Sequence, residues 1–141
     1  LLERLLGENV KLQLVHGRDL WPIKFDLNQF EQVIINLAVN GRDAMPKGGW
    51  LSVSTRVDGT NAVVEVGDTG VGIPSEHIAR IYDPFFTTKP EGRGTGLGLS
   101  VTYGIVQEHG GQIEVESELT RGTSFHILLP LEHFQEEVAA A

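Results

Sequence analysis

Asn36 and Asn40 lie one helical turn apart in a segment that is otherwise rich in apolar residues. Asparagine is a poor choice for a helix interior, because its carboxamide competes for backbone hydrogen bonds. A neutral carboxamide can, however, offer an oxygen to Mg²⁺ without adding charge to a site that must also accept phosphates. Mg²⁺ keeps several waters and needs few protein ligands. Asn40 is the candidate ligand, with Asn36 and Gln32 holding water or substrate beside it. The plainer alternative is a solvated polar stripe, since Gln32, Asn36, Asn40 and Asp43 share one helical face.

Two further clusters could do related chemistry. Asp68 directly follows the apolar run Val63–Val66 and is followed by Gly70 and Gly72. A carboxylate at a strand end can accept a hydrogen bond from an exocyclic amine such as that of adenine. The glycines let backbone approach a flat ring or take a positive φ. An ordinary Asp-Gly turn is the alternative. Downstream, Gly92, Gly94, Gly96 and Gly98 alternate just before a predicted helix. Their amides and the helix start suit phosphate oxygens, with Lys89 and Arg93 as nearby cations. This is neither G-x-x-x-x-G-K-[ST] nor a well-placed G-x-G-x-x-G. Phe85 and Phe86 could anchor the intervening segment to the body of the domain, or simply pack in the core.

These residues need elements to hold them. Residues 1–7 read as the end of a helix stopped by Gly7, a remnant of a preceding domain. Val10, Leu12 and Leu14 alternate as a strand. Asp26 is a good N-cap, and Gln29 completes a capping-box pattern, so a helix runs from there to about Met45, before Pro46. Its core stripe is Phe30, Val33, Ile34, Leu37, Ala38 and Met45. Leu51–Thr55 and Ala62–Val66, joined by Asp58-Gly59, read as a hairpin. Residues 69–95 read as a long mobile loop holding a short helix near 75–81, and a loop of that length should be functional. A helix from about Gly96 to Glu108 ends at Gly110-Gly111. Strands at Ile113–Ser117 and Phe125–Leu129 follow, and 132–141 form a tail or linker. The expected fold is a two-layer α/β sandwich, with helices on one face of a mixed sheet.

The bulk composition narrows the alternatives. With 141 residues the chain can build one domain with a real core, and 40% hydrophobic content is that of a globular protein. Nineteen acidic against 11 basic residues, a net charge of −8, argue against nucleic acid or an anionic membrane as partner. There is no cysteine, hence no disulfide, thiolate metal site or cysteine nucleophile. No apolar run is long enough to span a membrane, and no signal peptide is visible. The five histidines lack metal-ligand spacing. Ser100 lacks the G-x-S-x-G context of a serine hydrolase. Trp21 and Trp50 are expected at domain edges. Tyr103 is expected to pack in the core, with a ligand or neighbouring domain as the alternative. The chain opens without Met, which suggests a piece of a longer protein.

Taken together, the blocks resemble the catalytic and ATP-binding domain of bacterial sensor histidine kinases, within the superfamily shared with gyrase, Hsp90 and MutL-type ATPases. The resemblance covers about residues 8–131. Gln32–Asn40 looks like the N box, Asp68–Gly72 like the first glycine box, Asp83–Lys89 like the F box and Gly92–Ser100 like the second glycine box. Their style is similar to the nitrogen-regulator branch and to hybrid cell-cycle kinases. The implied fold is the Bergerat-type sandwich, a mixed five-stranded sheet covered by three helices.

The resemblance also implies roles. Asn40 would bind Mg²⁺, assisted by Asn36. Asp68 would receive the adenine amino group, with a water near Thr123, and Gly70 and Gly72 would line the base. Lys89 and Arg93 would face the phosphates of ATP (ADP as product). Gly94, Thr95, Gly96, Leu97, Gly98 and Leu99 would complete the lid hinge and phosphate cradle. Gln32 would lie close to the transferred phosphoryl group. Asp43 replaces a Lys common in the family, so a phosphate contact is missing there, for which Arg42, Lys89 or Arg93 could compensate. Gly41 stands where relatives of this branch have Ala, a small loss of helix propensity.

The implied activity is that of a protein-histidine kinase, moving the ATP γ-phosphoryl group to a histidine by positioning and charge neutralisation. His16 follows a predicted strand rather than sitting on a dimerising helix, so the acceptor is expected on a separate dimerisation and phosphoacceptor domain. The fragment would be monomeric and its parent a homodimer, with a response-regulator receiver domain as partner. The domain would be cytoplasmic, and whether its parent is membrane-anchored stays open. Two rivals remain. One is a gyrase- or Hsp90-type ATPase, which would want a catalytic Glu near the phosphates. The other is a regulatory module, binding a nucleotide or a cyclic dinucleotide that tips kinase toward phosphatase action, with Tyr103 as a conceivable contact.

Overall fold

The computed structural model describes residues 6–15, 26–86 and 98–131. Alternating burial makes the strands. In β5 (Gly122–Pro130), Thr123, Phe125, Ile127 and Leu129 point inward and their neighbours outward. The other strands are β1 (Val10–Val15), β2 (Gly49–Asp58), β3 (Asn61–Asp68) and β4 (Gln112–Glu118). They form one sheet in the order β1-β2-β3-β5-β4. Only β1 and β2 pair in parallel, and the other ladders are antiparallel. The parallel pair follows from the connection, because β1 and β2 are separated by a helix rather than a tight turn.

That helix, α1 (Leu27–Asp43), begins where the capping pattern placed it. The Asp26 carboxylate accepts the Gln29 N–H at 3.0 Å. Its inward stripe is Val33, Leu37, Ala38 and Gly41, with Phe30 and Ile34 packed at the margin. The helix ends at Asp43, two residues short of the expected Met45, which is buried in the turn that follows. Helix α2 (Ser75–Ile78) is one turn, shorter than the expected 75–81. Ile81, just beyond it, is buried and pins the segment to the core. Helix α3 spans Gly98–Glu108 and buries Thr102, Ile105 and Val106. Among the described residues, these three helices and five strands make the two-layer α/β sandwich expected from the pattern.

Val33, Leu37, Leu51, Val106, Ile127 and Leu129 have almost no exposed surface and form the centre of the core between helices and sheet. Each such side chain contributes about 1.5–3 kcal/mol by leaving water. His109 clips the two long helices together. Its Nδ1 lies 2.8 Å from the Ile105 carbonyl, and its Nε2 accepts the Asp26 N–H at 3.3 Å. This arrangement requires the neutral ring with its proton on Nδ1. The far face of the sheet is largely polar: Glu65 meets His126 at 2.5 Å and Arg56 at 3.9 Å. Among the described residues no helix is long and apolar enough to cross a membrane.

Three aromatic expectations are settled here. Trp50 is half exposed at the sheet edge, with the Lys11 ammonium 5.4 Å from its ring centre. Tyr103 is not in the core: it is 42% exposed and lies against Tyr82 at 5.2 Å. The inward stripe of α3 runs through Thr102, Ile105 and Val106, which turns position 103 toward solvent. Of the phenylalanine pair, Phe86 is the anchor, edge-on to His77 and under the Arg80 guanidinium. Phe85 is 72% exposed with φ +67°, so the chain turns sharply there and the side chain cannot share the same pocket.

Candidate functional site

At one end of the sheet a single cross-strand row faces the helices: Leu12, Leu51, Asp68, Thr123 and Ser117, one residue from each strand. Asp68 therefore sits between an aliphatic neighbour and a hydroxyl neighbour. Burial pushes its carboxyl above the ordinary value, and the backbone N–H groups of Gly70 and Thr123 pull partly back. The Gly70 N–H donates to Oδ1 at 2.9 Å.

The hydroxyls beside it form a hydrogen-bonded chain. Ser117 Oγ accepts the Ile73 N–H at 2.7 Å and donates to the Gly122 carbonyl at 3.2 Å. Ser117 Oγ also lies 2.8 Å from the Thr123 hydroxyl, a contact that either oxygen can donate. The Thr123 oxygen keeps acceptor capacity next to Asp68, on a side chain only 5% exposed.

The turn after Asp68 is stitched on both sides. The Val71 N–H donates to the Ala44 carbonyl at the end of α1, and the Thr120 N–H donates to the Val71 carbonyl. These contacts leave no room for side chains: a Cβ at Gly70 would lie 2.4 Å from the Ala44 oxygen. Gly72 adds a positive φ of 78°, and a Cβ there would lie 2.4 Å from the Glu118 oxygen. Thr69 Oγ1 accepts the Trp50 N–H at 3.1 Å and reaches Met45 Sδ. Both glycines thus serve the close approach of loop to helix and turn, and this holds the Asp68 carboxylate in place.

On α1 the polar stripe is connected rather than merely solvated. Gln32 donates to Asn36 Oδ1 at 2.8 Å. Asn36 in turn donates to the Gly98 carbonyl at 3.2 Å and to Thr102 Oγ1 at 3.3 Å. Thr102 itself donates to the Gly98 carbonyl at 2.8 Å. Asn36 therefore holds the first turn of α3, where Gly98 and Leu99 stand. Asn40 lies half-buried one turn further along α1. Asp43 pairs with its neighbour Arg42 at 3.1 Å, which engages the Arg42 guanidinium within the helix end. Lys89, Arg93, Gly94, Thr95, Gly96 and Leu97 lie outside the described residues, as does His16.

The structure thus brings Asp68, Gly70, Gly72 and Thr123 together at one sheet end, and joins Gln32 and Asn36 to Gly98. Sequence reasoning passed over Ser117, Thr69 and Thr102. Each is a hydroxyl whose role depends on partners between four and 66 residues away. The one local signal was a Thr on the inward stripe of α3, where an aliphatic residue would otherwise stand.

A mixed sheet with helices on one face and a half-buried aspartate at a strand end, fixed by a glycine turn, defines a Bergerat-type ATP-binding module. Residues 25–133 match the family described as histidine kinase-, DNA gyrase B-, and HSP90-like ATPase, and the chain belongs to that family. It is 50% identical to the sensor kinase CckA of Brucella abortus (strain 2308), over 92% of this chain and 15% of that protein's length. Among solved structures, the catalytic domain of the histidine kinase ThkA superposes with a TM-score of 0.74 at 32% identity, covering 90% of this chain and 81% of that one. Full-length ShkA in complex with AMPPNP superposes with a TM-score of 0.75 at 27% identity, covering 86% of this chain and 25% of that one.

Proposed function

We propose that this domain binds ATP with Mg²⁺ and transfers the γ-phosphoryl group to a histidine on a separate dimerisation domain of the same protein. The observation that carries the reading is the Asp68 carboxylate. It is half-buried, its Oδ1 is held by the Gly70 amide, and it has an acceptor hydroxyl at Thr123 beside it. That pairing suits a purine whose amino group is a donor and whose ring nitrogen can reach a hydroxyl-bound water. Asn40 supplies a neutral oxygen for the metal carried by the phosphates, and Gln32 and Asn36 stand on the same helix face. AMPPNP bound to ShkA, a structure of the same fold, supports the choice of an adenine nucleotide.

In the proposed reaction an imidazole nitrogen of the acceptor forms a bond to the γ-phosphorus as the bond to the β–γ bridging oxygen breaks. ADP leaves, and the proton on the other imidazole nitrogen passes to a carboxylate near the acceptor. The domain itself positions the reactants and neutralises charge. The gyrase-type alternative gains nothing from α1, where the residue facing Asn36 is Gln32 and not a carboxylate. The proposal places the parent as a cytoplasmic-facing homodimer that passes its phosphoryl group to a response-regulator receiver domain.

The test is calorimetric binding of ADP and ATP, with and without Mg²⁺, by the chain and by Asn40→Ala and Asp68→Asn. The expected result is magnesium-assisted binding that weakens at least tenfold in Asn40→Ala, with adenine preference lost in Asp68→Asn. Unchanged binding in both folded variants overturns the assignment.

A further inference from the structure

Strand β4 points Ile113 and Val115 at the core, and Ser117 takes the next inward position. An aliphatic residue would fit that pattern, so the hydroxyl needs a reason. Its single oxygen meets three groups. It accepts the Ile73 N–H at 2.7 Å, just past the glycine turn. It donates to the Gly122 carbonyl at 3.2 Å, at the start of β5. It also lies 2.8 Å from Oγ1 of Thr123, its direct cross-strand partner. Together these contacts use the one proton and both lone pairs of a serine hydroxyl. None is left for a ligand, so Ser117 can act only through its partners. Thr123 is the partner nearest the chemistry, because it pairs with Asp68 on its other side and is almost wholly buried.

We propose that Ser117 is a positioning residue for base recognition. It fixes the Thr123 hydroxyl beside Asp68, so that the pocket reads a ring nitrogen of the purine as well as its amino group. The inference rests on the nucleotide reading above. A purine with a 6-amino group carries a donor flanked by ring nitrogens that accept. Asp68 next to a hydroxyl offers the matching pair, provided that the hydroxyl is held in one rotamer. A threonine hydroxyl has staggered alternatives about χ1, and the 2.8 Å contact to Ser117 selects among them. Without Ser117 the Thr123 hydroxyl is free to turn away, and the ring nitrogen loses its partner, direct or through a water. Asp68 keeps its own anchor, the Gly70 amide, and so keeps the amino group. A serine that only laced the loop at Ile73 to the start of β5 would instead support every purine nucleotide equally.

The experiment compares the dissociation constants of ADP, 1-deaza-ADP and 7-deaza-ADP by calorimetry. Each analogue keeps the amino group and replaces one flanking ring nitrogen by C–H. The proteins are the chain, Ser117→Ala, Ser117→Cys, Ser117→Thr and Thr123→Val, with thermal melts to establish folding. The parent is expected to bind one analogue about five- to tenfold more weakly than ADP, which identifies the nitrogen that is read. Ser117→Ala is expected to weaken ADP about fivefold while leaving that analogue within about twofold, so that the ratio collapses as it does in Thr123→Val. Ser117→Thr keeps the hydroxyl and is expected to keep the ratio. Ser117→Cys is close in size but bonds only weakly, and is expected to reduce the ratio, which keeps the test decisive if Ser117→Ala does not fold. A ratio lost in Thr123→Val yet unmoved in folded Ser117→Ala or Ser117→Cys overturns the proposal. Equal weakening of all three nucleotides by Ser117→Ala, or a folded Ser117→Thr that loses the ratio, also overturns it. A parent that binds ADP and both analogues alike overturns the role of Ser117 and leaves the nucleotide reading standing. No ADP binding by the folded parent overturns both.

Discussion

The Asn36 carboxamide donates to the carbonyl of Gly98, 62 residues away in sequence, at 3.2 Å. Its oxygen is engaged by Gln32, and its second donor contact is the Thr102 hydroxyl. One side chain thereby ties the start of α3 to the middle of α1. Gly98, the first residue of α3, is thus held by a residue of the Asn helix.

Removing that tie should be measurable as stability. Asn36→Ala is expected to lose about 1–2 kcal/mol in urea denaturation, because it leaves the Thr102 and Gln32 groups short of a partner. Thr102→Val keeps the shape and removes one hydroxyl, and should lose about 1 kcal/mol. Thr102→Ser should recover most of it. Equal stability of Thr102→Val and the parent would show that the buried hydroxyl contributes nothing.

The Asp68 carboxyl has a defined pH signature. Burial raises its folded-state value above 3.8, so the folded chain holds this proton at a pH where the unfolded chain has released it. By linkage, its contribution to stability is most favourable below the unfolded value and is lost as pH rises through the folded value. Asp68→Asn keeps the acceptor for Gly70 and cannot ionise. The stability difference, variant minus parent, should therefore grow as pH rises through the weakly acidic range and then level off. A pH-independent difference in denaturation midpoints would contradict the raised value.

Tyr82 is a place where stability can be gained. Its hydroxyl is buried with no hydrogen-bond partner among the described residues. Burial, with Tyr103 adding a smaller like-charge effect, pushes its ionisation up to about 12. Tyr82→Phe should stabilise the fold by about 1 kcal/mol, since an unsatisfied buried group costs 1–3 kcal/mol. Ultraviolet titration of the parent should show a tyrosine ionising near 12 that is missing from the variant. Destabilisation by this substitution would reveal a partner for the hydroxyl.

Gly70→Ala tests the close approach of loop to helix. The new Cβ would sit 2.4 Å from the Ala44 carbonyl oxygen, a backbone atom that cannot rotate away. The expected cost is about 2–3 kcal/mol, read as a lowered melting temperature, with loss of the Val71 hydrogen bond to Ala44. Nucleotide affinity should fall with it. A variant as stable as the parent would mean that the turn can move away from α1.

Much of this molecule is written locally. The Asp26 cap, the apolar stripe of α1, the β2–β3 hairpin turn at Asp58-Gly59 and the inward alternation of β5 each depend on neighbours within a few residues. Those patterns are set by helix and strand periods, which a linear reading can count. The same holds for the candidate chemistry: the Asn pair, Asp68 with its glycines, and the second glycine cluster are all contiguous signals, and their order identified the family.

What tertiary structure alone decided is the set of contacts between those blocks. Nothing near Tyr103 in sequence says that Thr102 takes the inward position and leaves the aromatic ring outside. Nothing near Asn36 says that its carboxamide is used on the carbonyl of Gly98 and not held wholly for a ligand. The reason is physical. Periodicity and capping act over a turn or two, whereas steric fit and buried hydrogen bonds depend on atoms brought together only when helices dock on the sheet. Residue types and spacing therefore determined the fold class and the chemistry on offer, and packing between elements decided which side chains stand where that chemistry can be used.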